Sequence, residues 1–334
     1  MQRRNMNFNG IIVIDKEQNM TSHDVVSRVR RILGTGKVGH TGTLDPMATG
    51  VLPVCVGKAT RIMEYLDMDF KTYRCSMLLG KETDSRDVWG DVLSYVPEEA
   101  VNEVREEEIR EVFSSFRGSI SQRPPIYSAV RVDGKRLYEY AREGKDVEIP
   151  SRNVYIKQLE IEEVRVGRGY ESSVTFSVTC SKGTYIRSIC HDAGEKLGVH
   201  AAMSALRRTA SGVAKIEHAL TLDELENSFK EEDFASRILR IPEMLVNFGE
   251  LNLAEEDAIK FVNGLRIPTG RCEFLKAPAY ADGEFVIPVR KEFAKAYVVS
   301  GIFNGTKTFL GVAFADSDGR TVKADKVFRQ EISF

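Results

Sequence analysis

The sequence predicts an α+β protein with a mixed, largely antiparallel central sheet flanked by helices, followed by a small β-rich C-terminal unit. Three observations lead there. Apolar and polar residues alternate with strand period around Tyr73, Cys75 and Met77 and again around Val174, Phe176, Val178 and Cys180. Helical periodicity at 106–116 and 184–197 is interspersed with these runs, without the regular βαβ repeat of a parallel sheet. In the last third, short apolar runs are separated by Asn304-Gly305 and Asp318-Gly319, both strong hairpin signals.

Taken in order, residues 11–15 read as a short buried strand. Thr21 or Ser22 then caps a helix whose apolar positions Val25, Val26, Val29, Ile32 and Leu33 share one face, with Arg28, Arg30 and Arg31 partly on the other. A glycine-punctuated loop leads into a second apolar strand at 51–56 and a short helix at 59–66 that buries Ile62, Met63 and Leu66. Between the two alternating strands, the helix at 106–116 places Ile109, Val112, Phe113 and Phe116 on one side. The stretch 226–250 is charged and irregular and reads as a connection, which divides the chain into 1–245 and 246–334. In the second unit 253–262 reads as a helix ending at Asn263-Gly264, and 285–289, 296–303, 308–315 and 321–327 as strands.

With 334 residues, 42% of them hydrophobic and 29% charged, the chain suits a soluble globular protein of two units rather than a disordered one. It holds no apolar run of membrane-spanning length and no secretory leader, so the expected compartment is the cytoplasm. The five cysteines form no Cys-x-x-Cys pair, which speaks against a disulfide framework and a structural zinc; Cys55, Cys75 and Cys180 lie in apolar or alternating runs and are expected in the core. The net charge of −2 argues against a nonspecific polyanion binder, but its distribution is uneven. Residues 1–66 carry nine Lys and Arg against five Asp and Glu, while acidity gathers at Glu98, Glu99, Glu103, Glu106, Glu107, Glu108 and Glu111. Such an asymmetry can steer a polyanion to one face, and it equally suits charges that are simply solvated.

The loop Gly39-His40-Thr41-Gly42-Thr43-Leu44-Asp45-Pro46-Met47-Ala48-Thr49-Gly50 is the most distinctive stretch. Its glycines permit positive φ, and Pro46 biases Asp45 toward an extended conformation on a stiff turn. A carboxylate so placed could be a nucleophile, a general base or a metal ligand, although a lone Asp-Pro more often just shapes a turn. The loop resembles the central motif of the bacterial tRNA pseudouridine-55 synthase family (TruB). The resemblance recurs in the same order at Lys71-Thr72-Tyr73, at Pro124-Pro125-Ile126-Tyr127-Ser128-Ala129 with Gly134-Lys135-Arg136-Leu137-Tyr138, and at Cys180-Ser181-Lys182-Gly183-Thr184-Tyr185-Ile186-Arg187. It covers roughly residues 10 to 215.

The resemblance implies the pseudouridine synthase fold with a PUA-like C-terminal domain, and isomerisation of uridine 55 in the tRNA T loop. It implies Asp45 as nucleophile, Arg187 as its ion-pair partner, and Tyr73 as an aromatic that packs on the target base and takes part in proton transfer. His40, Tyr185 and Lys182 are implied as substrate-binding residues, with Lys16, Lys58 and Arg61 as further possible phosphate contacts. The chemistry matches these residue types. A carboxylate can bond a sugar carbon, a guanidinium favours and orients it, and a tyrosine both stacks and exchanges a proton. The target base must be flipped out of its stack. No metal and no organic cofactor is expected. The expected partner is the tRNA T arm, with no membrane, no obligatory protein partner, no guide RNA, and a monomeric state.

One motif departs from the family pattern Asp-Lys-Pro-x-Gly-x-Thr-Ser: the chain reads Asp15-Lys16-Glu17-Gln18-Asn19-Met20-Thr21-Ser22. Asn19 in place of glycine can still enter the left-handed region, whereas Glu17 adds negative charge near the expected RNA face. The alternative reading is a tRNA-binding or tRNA-folding protein in which catalysis is secondary.

Overall fold

The computed structural model describes residues 8–66, 69–231, 233–282, 285–286 and 295–328. The chain runs through β1 (Gly10–Lys16), α1 (Ser22–Leu33), β2 (Val38–His40), β3 (Thr49–Val56), α2 (Met63–Leu66) and β4 (Lys71–Leu79). A hairpin of β5 (Lys81–Thr83) and β6 (Val92–Tyr95) follows, then α3 (Glu98–Glu103), α4 (Glu106–Ser114) and β7 (Gly118–Gln122). Next come the small hairpin β8 (Arg131–Val132) and β9 (Lys135–Arg136), α5 (Leu137–Arg142), β10 (Arg152–Arg165), β11 (Ser173–Cys180) and α6 (Ile186–Leu197). The first unit closes with β12 (Ala201–Ser211), β13 (Ala214–Lys215), α7 (Leu222–Lys230) and α8 (Ile241–Met244).

Local chemistry accounts for several of these boundaries. Thr21 caps α1 with a capping box to Asp24, and Gly34 ends the helix at φ +64. The nine-stranded sheet runs β1-β3-β12-β4-β11-β10-β7, with β2 on β3 and β13 on β12. Every pairing is antiparallel except β12 with β3, which is parallel through Arg207↔Thr49 and Arg208↔Gly50. The mixed, largely antiparallel sheet is therefore present. One core packs α4 and α6 on β4, β10, β11 and β12 through Ile109, Phe113, Phe176 and Ile189. Another packs α1 and α7 on β1 and β3 through Val25, Val29, Leu52 and Leu225.

The second sheet is six-stranded, in the order β15 (Ile267–Pro268), β21 (Thr321–Val327), β20 (Thr306–Ala315), β19 (Ala296–Phe303), β14 (Gly249–Ala254), β16 (Cys272–Lys276), with α9 (Glu255–Val262) packed on it. Asn304 and Gly305 both take positive φ between β19 and β20, as a two-residue hairpin turn demands. The two sheets share a core. Ile62, Tyr65, Leu66 and Phe248 pack with Val298, Val312 and Phe328. Tyr65 hydrogen-bonds Asp325, Lys326 lies 3.1 Å from Glu64, and Arg61 donates to the Val327 carbonyl at 2.7 Å.

Three expectations need correction. Residues 253–254 belong to β14, because Leu251 and Leu253 alternate inward against β19; the helix starts at Glu255. The stretch 226–250 is packed structure rather than a plain connection, with Phe234, Ile241, Met244 and Phe248 buried. In α2 it is Tyr65, more than Met63, that is enclosed. The strand expected at 285–289 is present at Phe285–Val286, and 287–289 lie outside the described residues. Cys55, Cys75 and Cys180 are buried, as expected. Among the described residues no helix is long and apolar enough to cross a membrane.

Candidate active site

The Asp45 loop leaves β2, which is paired antiparallel to β3, and returns into β3. Its backbone is anchored on both sides of the carboxylate. Ser22, buried in the first turn of α1, accepts from the Leu44 N–H at 2.9 Å and donates to the Leu44 carbonyl at 3.2 Å. The Pro46 carbonyl accepts from Lys16 Nζ at 3.0 Å and from the Asn19 N–H at 3.0 Å. Asn19 has φ +65, so the turn that usually carries glycine is kept with asparagine. Gly50 closes the loop at φ +98, where a Cβ would lie 2.1 Å from the Arg208 carbonyl oxygen.

Lys16 is fully enclosed, and its ammonium donates to the carbonyls of Glu17 at 2.8 Å, Met20 at 2.6 Å and Pro46 at 3.0 Å. Burial pushes its pKa down to about 8, with the Asp45 and Asp24 charges opposing that shift. It thus braces the loop and is not available as a phosphate contact. Arg61, bonded to Val327 and lying over the Phe328 ring, is likewise committed to the contact between the two sheets.

The Asp45 side chain stays 46% exposed and meets Arg187, whose Nη2 lies 3.0 Å from Oδ2. Arg187 projects from the first turn of α6 and is 5% exposed. Its Nη1 donates to the Ser85 carbonyl at 2.9 Å and lies 3.6 Å from Asp87 Oδ2; its Nη2 donates to the Tyr127 carbonyl at 2.8 Å. Asp87 is fixed in turn by the Ser85 hydroxyl at 2.8 Å and the Trp89 N–H at 3.2 Å. The β5–β6 hairpin and the Ile126-Tyr127-Ser128 segment therefore converge on one guanidinium.

Tyr73 stands on β4 between Val178 of β11 and Arg208 of β12. Burial raises its phenol pKa against the opposing charge of Arg208, so the hydroxyl stays protonated at neutral pH. Arg208 is itself buried, donating to the Val51 carbonyl at 2.6 Å and the Gly42 carbonyl at 2.8 Å. It ties the centre of the sheet to the start of the loop.

Asp45, Tyr73, Tyr185 and Arg187 line one cavity of about 90 Å³, floored in part by Leu206. A cleft of about 740 Å³ shares Thr43, Tyr73, Thr184 and Tyr185 with it. Lys71, Arg152, Lys182 and Arg208 line that cleft, and no carboxylate does. Lys182 is exposed at its edge. His40 lines neither; it ends β2, with Nδ1 enclosed and without a hydrogen-bond partner among the described residues. Burial, then the charges of Arg208 and His23, lower its pKa, which favours neutral imidazole. Among the described residues no group of three or more potential ligands is arranged to hold a metal ion.

Sequence reasoning missed Arg208, Asp87 and Gln122. Arg208 carried a signal, since Leu206 and Ala210 flank it two residues away on each side and so place it on an inward face. Asp87 and Gln122 sit in segments whose approach to Arg187 and Tyr185 is created only by the tertiary fold, and no local pattern marks them.

Comparison with known proteins gives concordant matches. Residues 30–186 match the family profile of the TruB family pseudouridylate synthase N-terminal domain, and 187–246 match that of the tRNA pseudouridylate synthase B C-terminal domain. The chain is 42% identical to tRNA pseudouridine synthase B of Clostridioides difficile (strain 630), covering 96% of this chain and 100% of that one. It is 41% identical to the protein of the same name from Syntrophus aciditrophicus (strain SB), covering 84% and 86%. Among solved structures it resembles an archaeal box H/ACA sRNP Nop10–Cbf5 complex, with a TM-score of 0.69 at 26% identity over 96% of this chain and 86% of that one.

Proposed function

The chain belongs to the TruB family of pseudouridylate synthases, and on that premise we propose that it isomerises uridine 55 in the T loop of tRNA to pseudouridine, with Asp45 as nucleophile. The observation that carries the reading is the Arg187–Asp45 contact of 3.0 Å at a cavity that Tyr73 and Tyr185 also line. The names of the relatives support tRNA as the substrate.

The reaction breaks the bond from C1′ to N1 and makes one from C1′ to C5; the proton on C5 leaves and N1 gains one, so the product is an isomer. Asp45 supplies the transient covalent partner as the carboxylate. Its exposure leaves the oxygen lone pairs reachable, while the loop anchors at Leu44 and Pro46 hold it in one place. Arg187 orients it through the single Nη2 contact, while its Nη1 and Nη2 are themselves held by the Ser85 and Tyr127 carbonyls. Tyr73 stacks on the flipped base beside the cavity that Asp45 lines, and takes part in the proton transfer at C5. The detached base is held in the small cavity, and Arg152 and Lys182, the two cleft cations that are not buried, take the phosphates. The assignment of His40 to substrate binding rests on the resemblance alone, since it lines neither space.

In this reading the chain works without a guide RNA or partner protein. The test is site-resolved mapping of pseudouridine in an unmodified tRNA transcript incubated with the purified protein or with Asp45→Asn. Product confined to the T-loop uridine and lowered by at least roughly 1,000-fold in the variant is expected, with a rate unchanged by chelators. Binding without product from the native chain would favour the RNA-folding role instead.

A further inference from the structure

The five-residue turn 181–185 lines both the cavity and the cleft, and it is held at its two ends by different means. At the first end β10 holds it: the Ser181 N–H donates to the Tyr155 carbonyl at 2.8 Å, and the Tyr155 N–H donates to Ser181 Oγ at 2.9 Å. At the second end stands Tyr185, the N-cap of α6, whose own side chain makes no capping bond. One side chain from a remote strand meets it there. Gln122, at the end of β7 and 1% exposed, accepts from the Tyr185 N–H through Oε1 at 2.8 Å and donates from Nε2 to the Tyr185 carbonyl at 3.1 Å. The next residue continues the grip: the Arg123 carbonyl accepts from Ser188 Oγ at 2.9 Å and from Arg86 Nη1 at 2.9 Å. Residues 185 and 188 are thus fixed on either side of Arg187.

We infer that Gln122 is a positioning residue for the isomerisation: its amide clamps the backbone of Tyr185 and so sets both the Tyr185 ring and the line from Arg187 to Asp45. The inference rests on the function proposed above. Gln122 lines neither the cavity nor the cleft. Its effect passes through α6, so its loss falls on the chemical step and not on RNA affinity. The amide offers an acceptor to the N–H and a donor to the carbonyl together at any pH, which a carboxyl of the same length does only when protonated.

That double requirement gives a test that mere packing would not satisfy. An ionised glutamate keeps the acceptor but turns an oxygen toward the Tyr185 carbonyl, whereas protonated glutamate restores the donor. Burial and the facing carbonyl raise the pKa of such a carboxyl; Arg123, Arg152 across the strand pair and Arg86 lower it. Single-turnover rates and RNA dissociation constants would be measured for the native chain, Gln122→Glu and the similarly sized Gln122→Met from about pH 5.5 to 8.5. Gln122→Met is expected to be slower by roughly ten- to a hundredfold at every pH, with RNA affinity within about threefold. Gln122→Glu should match it at the alkaline end and recover toward the native rate on acidification, after division by the native profile. A glutamate variant that tracks the native chain throughout, a deficit independent of pH, or a loss residing in RNA affinity overturns the inference. No product from the native chain would instead overturn the functional reading on which it stands.

Discussion

The two partners of the central ion pair are held in opposite ways. Asp45 leaves its side chain 46% exposed and takes its rigidity from main-chain anchors at Leu44 and Pro46. Arg187 is 5% exposed and is held through the guanidinium itself by Ser85, Asp87 and Tyr127. In the proposed reaction Asp45 has to reach a substrate and so stay open, which leaves its order to the backbone. In the same reaction Arg187 only orients its partner and can be enclosed, where its charge is less screened and both terminal nitrogens have fixed acceptors.

The strongest way to break this contrast is Arg187→Lys, which keeps the charge but loses the fork. A rate lower by roughly a hundredfold or more is expected in single-turnover assays; a rate within about twofold of native would mean that charge alone suffices. On the Asp45 side, Lys16→Ala strips three carbonyls of their shared donor. It should lower stability by about 2–4 kcal/mol in urea unfolding, and a loss below about 1 kcal/mol would remove Lys16 as an anchor.

Lys16 also sharpens the contrast through pH. Its pKa in the folded chain, about 8, lies below the ordinary 10.5, so between these values the unfolded chain binds more protons and native stability rises with pH. The native chain should therefore gain on Lys16→Met as pH increases through that window, and a flat difference would contradict the enclosed ammonium. Ser22→Ala, which removes both bonds to Leu44, should cost about 1–2 kcal/mol with a modest rate loss. The smallest effect is expected at Asn19: alanine at φ +65 should cost about 1 kcal/mol and glycine nearly nothing, read by thermal melting.

What was legible in the sequence follows the same division. β1 and β3 were readable as continuous apolar runs, and α1 and the alternating strands because burial follows a local period there. The Asp45, Tyr73, Tyr185 and Arg187 positions came from family motifs, and the structure gathers all four at one cavity. The central strand β12 was not readable, because Arg207 and Arg208 interrupt its apolar pattern. Arg207 turns outward to pair with Asp15 at 2.6 Å, and Arg208 inward to the Val51 and Gly42 carbonyls. Lys16 looked like a surface cation for a comparable reason: beside the local Glu17 and Met20 carbonyls, the Pro46 carbonyl that completes its set is brought to it only by the tertiary fold. Leu253 was misassigned to a helix because Ala258, Phe261 and Val262 extend an apolar pattern past the strand end.

The core shared by the two sheets has a mechanical consequence. With Tyr65, Leu66 and Phe248 interleaved among Val298, Val312 and Phe328, and with the Glu64–Lys326 and Tyr65–Asp325 contacts across the seam, the halves behave as one lever arm instead of beads on a string. Any ligand long enough to touch both is gauged against a single span, and one whose two contact points are spaced differently must bend or let go of one of them.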